Sequence, residues 1–215
     1  CCTIAWVALS IEMLKLTGNP IVADEIEFST LNSVLGLHCK SGRWVTYNTP
    51  MDGVRRASAH DIVFQAREGS SELNCCSVNG PRGLGMVSDW ALMNSKTGLY
   101  INWYGQGEIK TRVGNKVIKI IQDTEYPRNG HVNIQIETNQ PISFPLYFRI
   151  PYWSYKTRIS INGKSLTGIS PASYFCIDRR WRKNDHVKIS LDMNTHLLQG
   201  KKECRSKVSY YRGPI

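Results

Sequence analysis

Apolar residues along this chain recur first with a helical period and later with a strand period. Ile4, Val7, Ala8, Ile11 and Leu14 fall at three- and four-residue spacing, which predicts a helix over residues 3–16. Gly18 stops it, and Pro20 suits the first turn of a second helix. That helix runs to about Leu35, with Ile26, Leu31, Val34 and Leu35 apolar and Gly36 closing it. Two helices joined by so short a loop make an αα-hairpin. Residues 43–49 predict a short strand ended by Pro50. Residues 52–74 show no clean period, and long irregular stretches inside compact domains usually carry function. Leu84, Val87, Trp90 and Ala91 then predict a helix from about Arg82 to Met93, which leaves Cys75-Cys76 at the end of the preceding loop.

From Gly98 the period changes to two. Strands are predicted over Leu99–Tyr104, Val117–Ile121, Val132–Ile136, Leu146–Ile150, Arg158–Ile161, Tyr174–Ile177 and Val187–Leu191. Asn162-Gly163 is a strong two-residue hairpin turn. Many short strands with frequent turn signals argue for an antiparallel β-sandwich. Trp153 and Trp181 read as core aromatics more readily than as exposed platforms for sugar rings. The fold class is therefore mixed α and β, with a helical part over residues 1–95 and a strand part over residues 96–215.

Charge sharpens that boundary. The net charge is +10, yet residues 1–95 carry seven Lys+Arg against nine Asp+Glu and residues 96–215 carry twenty against eight. A basic half can signal nucleic acid. Here the charges are scattered through alternating strands, so a solvated sheet face is the better reading and no nucleic-acid partner is expected. No window approaches the roughly 18–20 continuous apolar residues that a membrane span needs, so no membrane partner is expected either. The chain opens without Met and ends at Tyr210–Ile215 as though within a strand, which suggests an internal piece of a longer protein.

The seven cysteines are Cys1, Cys2, Cys39, Cys75, Cys76, Cys176 and Cys204. An odd count with two vicinal pairs makes a poor disulfide framework and fits a reducing, cytoplasmic compartment or a metal site better. Neighbouring cysteines bridge one another only with strain. Cys75 and Cys76 are therefore either small buried hydrophobes, which is how free cysteine usually behaves, or are jointly engaged by a soft-acceptor metal such as zinc, with Cys1 a further candidate ligand. There is no phosphate-binding glycine loop, His-x-x-x-His pair or Ser nucleophile elbow. The five histidines are dispersed and read as surface or packed residues. Asp24, Glu25 and Glu27 suit the early turns of a helix through its dipole.

Several stretches in order resemble one family. Cys1-Cys2-Thr3 resembles the end of its Glu-Thr-Cys-Ala element, and Leu16–Asn19 with Ala23-Asp24 resembles the helix-loop-helix that follows. Glu27–Asn32 resembles its Glu-Arg-x-Leu-Tyr-Asn segment, and Tyr47–Pro50 its Tyr-x-Asn-Pro. Cys75-Cys76-Ser77-Val78-Asn79 resembles Cys-Cys-Pro-x-Asn with Arg82 following, and Leu99–Tyr104, the Trp181 region and Tyr211–Pro214 also fit. The family is glycoside hydrolase family 127, the β-L-arabinofuranosidases.

The resemblance implies the end of an (α/α)6 barrel catalytic domain followed by a β-sandwich. It implies a carbohydrate substrate, an arabinofuranoside or related pentoside, and leaves a homodimer open. It implies zinc held by Cys1, Cys75 and Cys76 with a glutamate two positions before Cys1, and Cys75 as both ligand and nucleophile. Glu27 and Tyr47 match positions that line the sugar site. The acid/base glutamate would lie upstream, so the chain alone is expected to be inactive. Ser77 in place of proline puts sugar specificity in question more than reaction class. The rival reading is a non-catalytic carbohydrate-binding module formed by the β half.

Overall fold

A computed structural model describes residues 1–47 and 75–215 of the chain. Its contacts fall into two units, residues 1–18 with 22–90 and residues 19–21 with 91–215.

In the first unit, helix α1 spans Cys2–Thr17 and buries Ile4, Val7, Ile11 and Leu14, the stripe that the spacing predicts. Gly18 closes it at φ 60°, where its N–H returns 2.8 Å to the Leu14 carbonyl. Glycine adopts that left-handed backbone without the penalty a Cβ brings. Helix α2 spans Pro20–Ser29 and continues as a π-helical stretch over Thr30–Leu35. The predicted strand over 43–49 reduces, within the described residues, to a single bridge between His38 and Val45. Residues 48 and 49, the Asn48–Pro50 part of the family-like motif and the irregular stretch up to residue 74 lie outside the described residues.

Two further helices follow, α3 over Cys75–Gly85 and α4 over Val87–Trp90. This corrects the helix expected from Arg82 to Met93. Helical structure begins at Cys75, and Leu92 and Met93 belong to a strand. Gly80, Pro81, Gly83 and Gly85 read as breakers in the sequence. In the fold Gly80 and Gly83 are buried and serve packing instead. A Cβ on Gly83 would lie 2.5 Å from Ile4 Cδ1 and 2.6 Å from Val34 Cγ1. Close approach to α1 and the π-helical stretch thus requires glycine here, and tertiary packing overrides the weak helix propensity.

In the second unit, a four-stranded sheet takes the order β1 (Leu92–Ser95), β2 (Gly98–Ile101), β6 (Ile142–Ile150), β9 (Ser173–Trp181). A six-stranded sheet takes the order β3 (Gly107–Val113), β4 (Lys116–Thr124), β5 (His131–Thr138), β10 (Asp185–Ser190), β7 (Arg158–Ile161), β8 (Lys164–Ser165). Strands β11 (Thr195–Gln199) and β12 (Val208–Arg212) form a separate antiparallel pair. Alternation does the sorting. On β5, Val132, Ile134 and Ile136 are buried while His131 and Asn133 face out. One apolar cluster draws Leu99, Leu146 and Phe148 from the first sheet and Ile120, Ile134 and Val187 from the second. Trp153 and Trp181 join this core, and the Trp181 Nε1–H donates to the Phe144 carbonyl at 2.9 Å.

The expectation of purely antiparallel pairing fails at one place. Strand β2 runs parallel to β6, with Leu99 opposite Leu146 and Ile101 opposite Phe148. Strands β3, β4 and β5 intervene in sequence and belong to the other sheet, so the connection is a crossover long enough to return the chain in the same direction. The Asn162-Gly163 turn forms as predicted, at φ 49° and 83°, and joins β7 to β8. No helix among the described residues is long and apolar enough to cross a membrane.

Candidate metal centre

Cys1 caps the N-terminus of α1, and Cys75 and Cys76 open α3. The three Sγ atoms lie within 4.8 Å of one another. The Cys75 and Cys76 sulfurs are 3.8 Å apart, and all seven cysteines are free thiols. Successive helical residues diverge by about 100° around the axis, so adjacent side chains do not normally meet. At the first turn both sulfurs instead converge with Cys1. Helix N-termini favour thiolates through the dipole and the free N–H groups, and two such termini meet here.

Burial divides the roles. Cys1 and Cys75 are exposed, whereas Cys76 is only 4% exposed. Burial, and then the neighbouring Cys75 thiol, push the Cys76 thiol up to about 11. A buried proton-bearing thiol beside two further sulfurs is a donor set suited to a soft or borderline cation, which replaces the protons and binds the thiolates. The three sulfurs could therefore hold a metal ion. The exposed Cys1 and Cys75 are the sulfurs that a bound molecule reaches from solvent.

A small cavity of about 60 Å³ lies beside the sulfurs, lined among others by Cys1, Cys76, Thr46, Tyr47 and Gly80. Tyr47 therefore shares a cavity with two of the thiols. Glu27 is 1% exposed on α2 and does not line that cavity. Gly80 keeps this wall tight, since a Cβ there would lie 3.0 Å from both Leu37 Cδ1 and Val45 Cγ1. His38 is a packed residue, its Nδ1–H donating to the Val34 carbonyl at 2.8 Å.

The sequence gives Asn79 no role beyond its place in the Cys-Cys motif. In the fold its Nδ2 donates to the Cys75 carbonyl at 2.8 Å and approaches Cys1 Sγ at 3.5 Å. Its four-residue spacing from Cys75 is the signal that could have found it, because side chains one turn apart lie on the same helix face.

The model of the β-L-arabinofuranosidase GH127 catalytic domain matches residues 1–89, and that of the GH127 middle domain matches residues 98–193. The helical unit and the sheet unit thus correspond to two consecutive domains of one class, the glycoside hydrolases. The chain belongs to glycoside hydrolase family 127. The solved structure of a glycoside hydrolase is similar over 100% of this chain and 36% of its own, at TM-score 0.85 and 28% identity. A family 127 β-L-arabinofuranosidase from Geobacillus stearothermophilus T6 is similar over 99% of this chain and 35% of its own, at TM-score 0.80 and 24% identity. A family 127 β-arabinofuranosidase is similar over 100% and 36%, at TM-score 0.83 and 21% identity. At those identities the last two speak for the fold alone. The chain spans about a third of the length of these structures. No curated protein matches the sequence significantly.

Proposed function

We propose that this chain carries the sulfur part of the active site of a retaining glycoside hydrolase acting on β-L-arabinofuranosides or related pentosides. Residues 1–95 are then the end of an (α/α)6 barrel and residues 96–215 a β-sandwich. Zinc is the ion the donor set suits. Zn–S bonds of about 2.3 Å in a tetrahedron set sulfurs about 3.8 Å apart, and the Cys75–Cys76 separation is 3.8 Å. Cys1, Cys75 and Cys76 would hold it, and when bound it supplies the positive charge that keeps thiols ionised at neutral pH.

The remaining chemistry belongs to side chains. The Cys75 thiolate attacks the anomeric carbon, a C–S bond forms, and the glycosidic C–O bond breaks with its electron pair leaving on oxygen. A carboxylic acid protonates that oxygen, and the resemblance assigns it to no residue of this chain. Water then attacks the same carbon, gives its proton to the carboxylate, and the sulfur departs as thiolate. Two inversions give retention, with sulfur in the place that a carboxylate occupies in the common retaining pair. Tyr47, beside Cys1 and Cys76, and Glu27 on α2 are the proposed sugar contacts.

The observation that carries this reading is the convergence of three sulfurs from two distant helix starts, with Cys1 and Cys75 exposed and Cys76 buried. Metal analysis and a chromogenic arabinofuranoside assay on the full-length protein test it, with Cys75→Ser alongside. Loss of turnover in Cys75→Ser is expected, and activity that survives the change removes the nucleophile assignment.

A further inference from the structure

We infer that Asn79 is a positioning residue of the sulfur cluster, tying Cys1 to the helix that carries Cys75 and Cys76. The inference rests on the metal-site reading above and adds a residue outside the ligand set. Asn79 lies one turn along α3 from Cys75. Its Nδ2 donates to the Cys75 carbonyl at 2.8 Å and lies 3.5 Å from Cys1 Sγ, a residue 78 positions away in sequence. Asn and Gln amides can be turned end for end, and only their hydrogen bonds decide the orientation. Here the acceptor is a carbonyl, so the nitrogen must face it, because the reversed amide would set oxygen against oxygen. An amide nitrogen carries two hydrogens. One is used by the Cys75 carbonyl and the other is directed at the Cys1 sulfur.

That second hydrogen matters because sulfur accepts weakly as a thiol and strongly as a thiolate. Asn79 is therefore placed to donate to the Cys1 sulfur when that sulfur binds a metal as thiolate. It also restrains the Cys1 side chain, which otherwise sits exposed at a helix start. The carbonyl bond is worth making without any ligand, so the amide is oriented before a metal arrives. Outer-shell partners of this kind are worth roughly 10–100-fold in metal affinity.

The experiment compares the full-length wild-type protein with Asn79→Leu, which keeps the volume and loses both donors, and Asn79→Gln, which keeps an amide. The probe is Co²⁺, whose thiolate charge-transfer band reports charge on the sulfurs, and affinity is read by competition between Co²⁺ and Zn²⁺. For Asn79→Leu the expected result is a shifted charge-transfer band and about tenfold weaker binding, with partial recovery of both in Asn79→Gln. A helix-packing role would lower the melting temperature of the metal-free protein and leave the band in place. An unshifted band and affinity within twofold of wild type overturn the inference. Failure of the wild type itself to bind Co²⁺ or Zn²⁺ overturns the metal-site reading instead, and the inference with it.

Discussion

Gly83 on α3 meets Ile4 on α1 so closely that a Cβ there would stand 2.5 Å from the Ile4 Cδ1 atom. This contact sets the spacing between the helix that starts at Cys1 and the helix that starts at Cys75. Two effects oppose each other in Gly83→Ala. Alanine gains about 1 kcal/mol of helix propensity over glycine. Overpacking of a filled site costs about 1–3 kcal/mol. Ile4 can swing its terminal methyl away, but Val34 Cγ1 would lie 2.6 Å from the same Cβ, and a β-branched side chain has little freedom to turn. Overpacking should therefore win. Gly83→Ala is expected to melt lower than wild type and to bind Zn²⁺ more weakly, because Cys1 moves away from the other two sulfurs. Thermal unfolding and metal competition check this, and a variant that melts higher would show the site has room to spare.

Metal uptake by three thiols must release protons, since the ligands bind as thiolates. Burial beside Cys75 pushes the Cys76 thiol up to about 11 in the absence of a cation. At neutral pH, zinc must therefore displace that proton. Affinity is expected to rise with pH, with a limiting slope of about three decades per pH unit while all three thiols are protonated. Calorimetry in buffers of different ionisation enthalpy measures the proton count directly. A count near zero at pH 7 would mean that the sulfurs do not bind the ion. Zinc should also shield Cys75 from iodoacetamide, and chelation should restore its labelling.

Trp181 anchors the sheet unit. It is fully buried, its ring lies 5.8 Å from that of Phe144, and its Nε1–H donates to the Phe144 carbonyl at 2.9 Å. Trp181→Ala should cost about 3–5 kcal/mol, the usual range for emptying an aromatic site. Trp181→Phe keeps much of the apolar surface and strands the carbonyl, which should cost about 1–3 kcal/mol from the lost bond. Urea unfolding resolves the two. Equal losses would indicate that the hydrogen bond, rather than the volume, carries the residue's contribution.

The parts legible in the sequence are those where a local pattern decides the outcome. The stripe of Ile4, Val7, Ile11 and Leu14 and the alternation at Val132, Ile134 and Ile136 identify which faces are buried without reference to any partner. Local pattern misleads where packing decides. Gly80, Pro81 and Gly83 look like the end of a helix, yet the smallness of the two glycines is what lets α3 lie close to its neighbours. The parallel pairing of Leu99 with Leu146 depends on which strands intervene in the other sheet, and no periodicity encodes that. Strand β3 went unseen because Glu108, Lys110 and Arg112 make its outward side strongly charged and leave only Ile109 and Val113 as firm apolar markers. The candidate site was legible as chemistry rather than as geometry. Vicinal cysteines suggest a metal, but only the resemblance to a family, followed by the fold, joins them to Cys1 across 74 positions of sequence.

Tyr147 offers a test of the outer face of the four-stranded sheet. Its ring stacks on Tyr100 with centroids 4.2 Å apart and planes 1° from parallel, and Cys176 is its partner on β9. Burial, and then the Cys176 thiol, push the Tyr147 phenol from 10.0 up to about 12. The phenol is thus held neutral in the fold beyond the pH at which the unfolded chain ionises it. The sign follows from linkage. The contribution of Tyr147 to folding is whole below pH 10 and is lost as pH rises through about 12, because over that window the unfolded state sheds the proton first. With ¹³C-labelled tyrosine, one ring signal should stay unshifted until the pH nears 12 and should vanish in Tyr147→Phe. The same variant should flatten the fall in stability between pH 10 and 12. If the signal removed by Tyr147→Phe titrates near pH 10 instead, solvent reaches the phenol and the stack does not shield it.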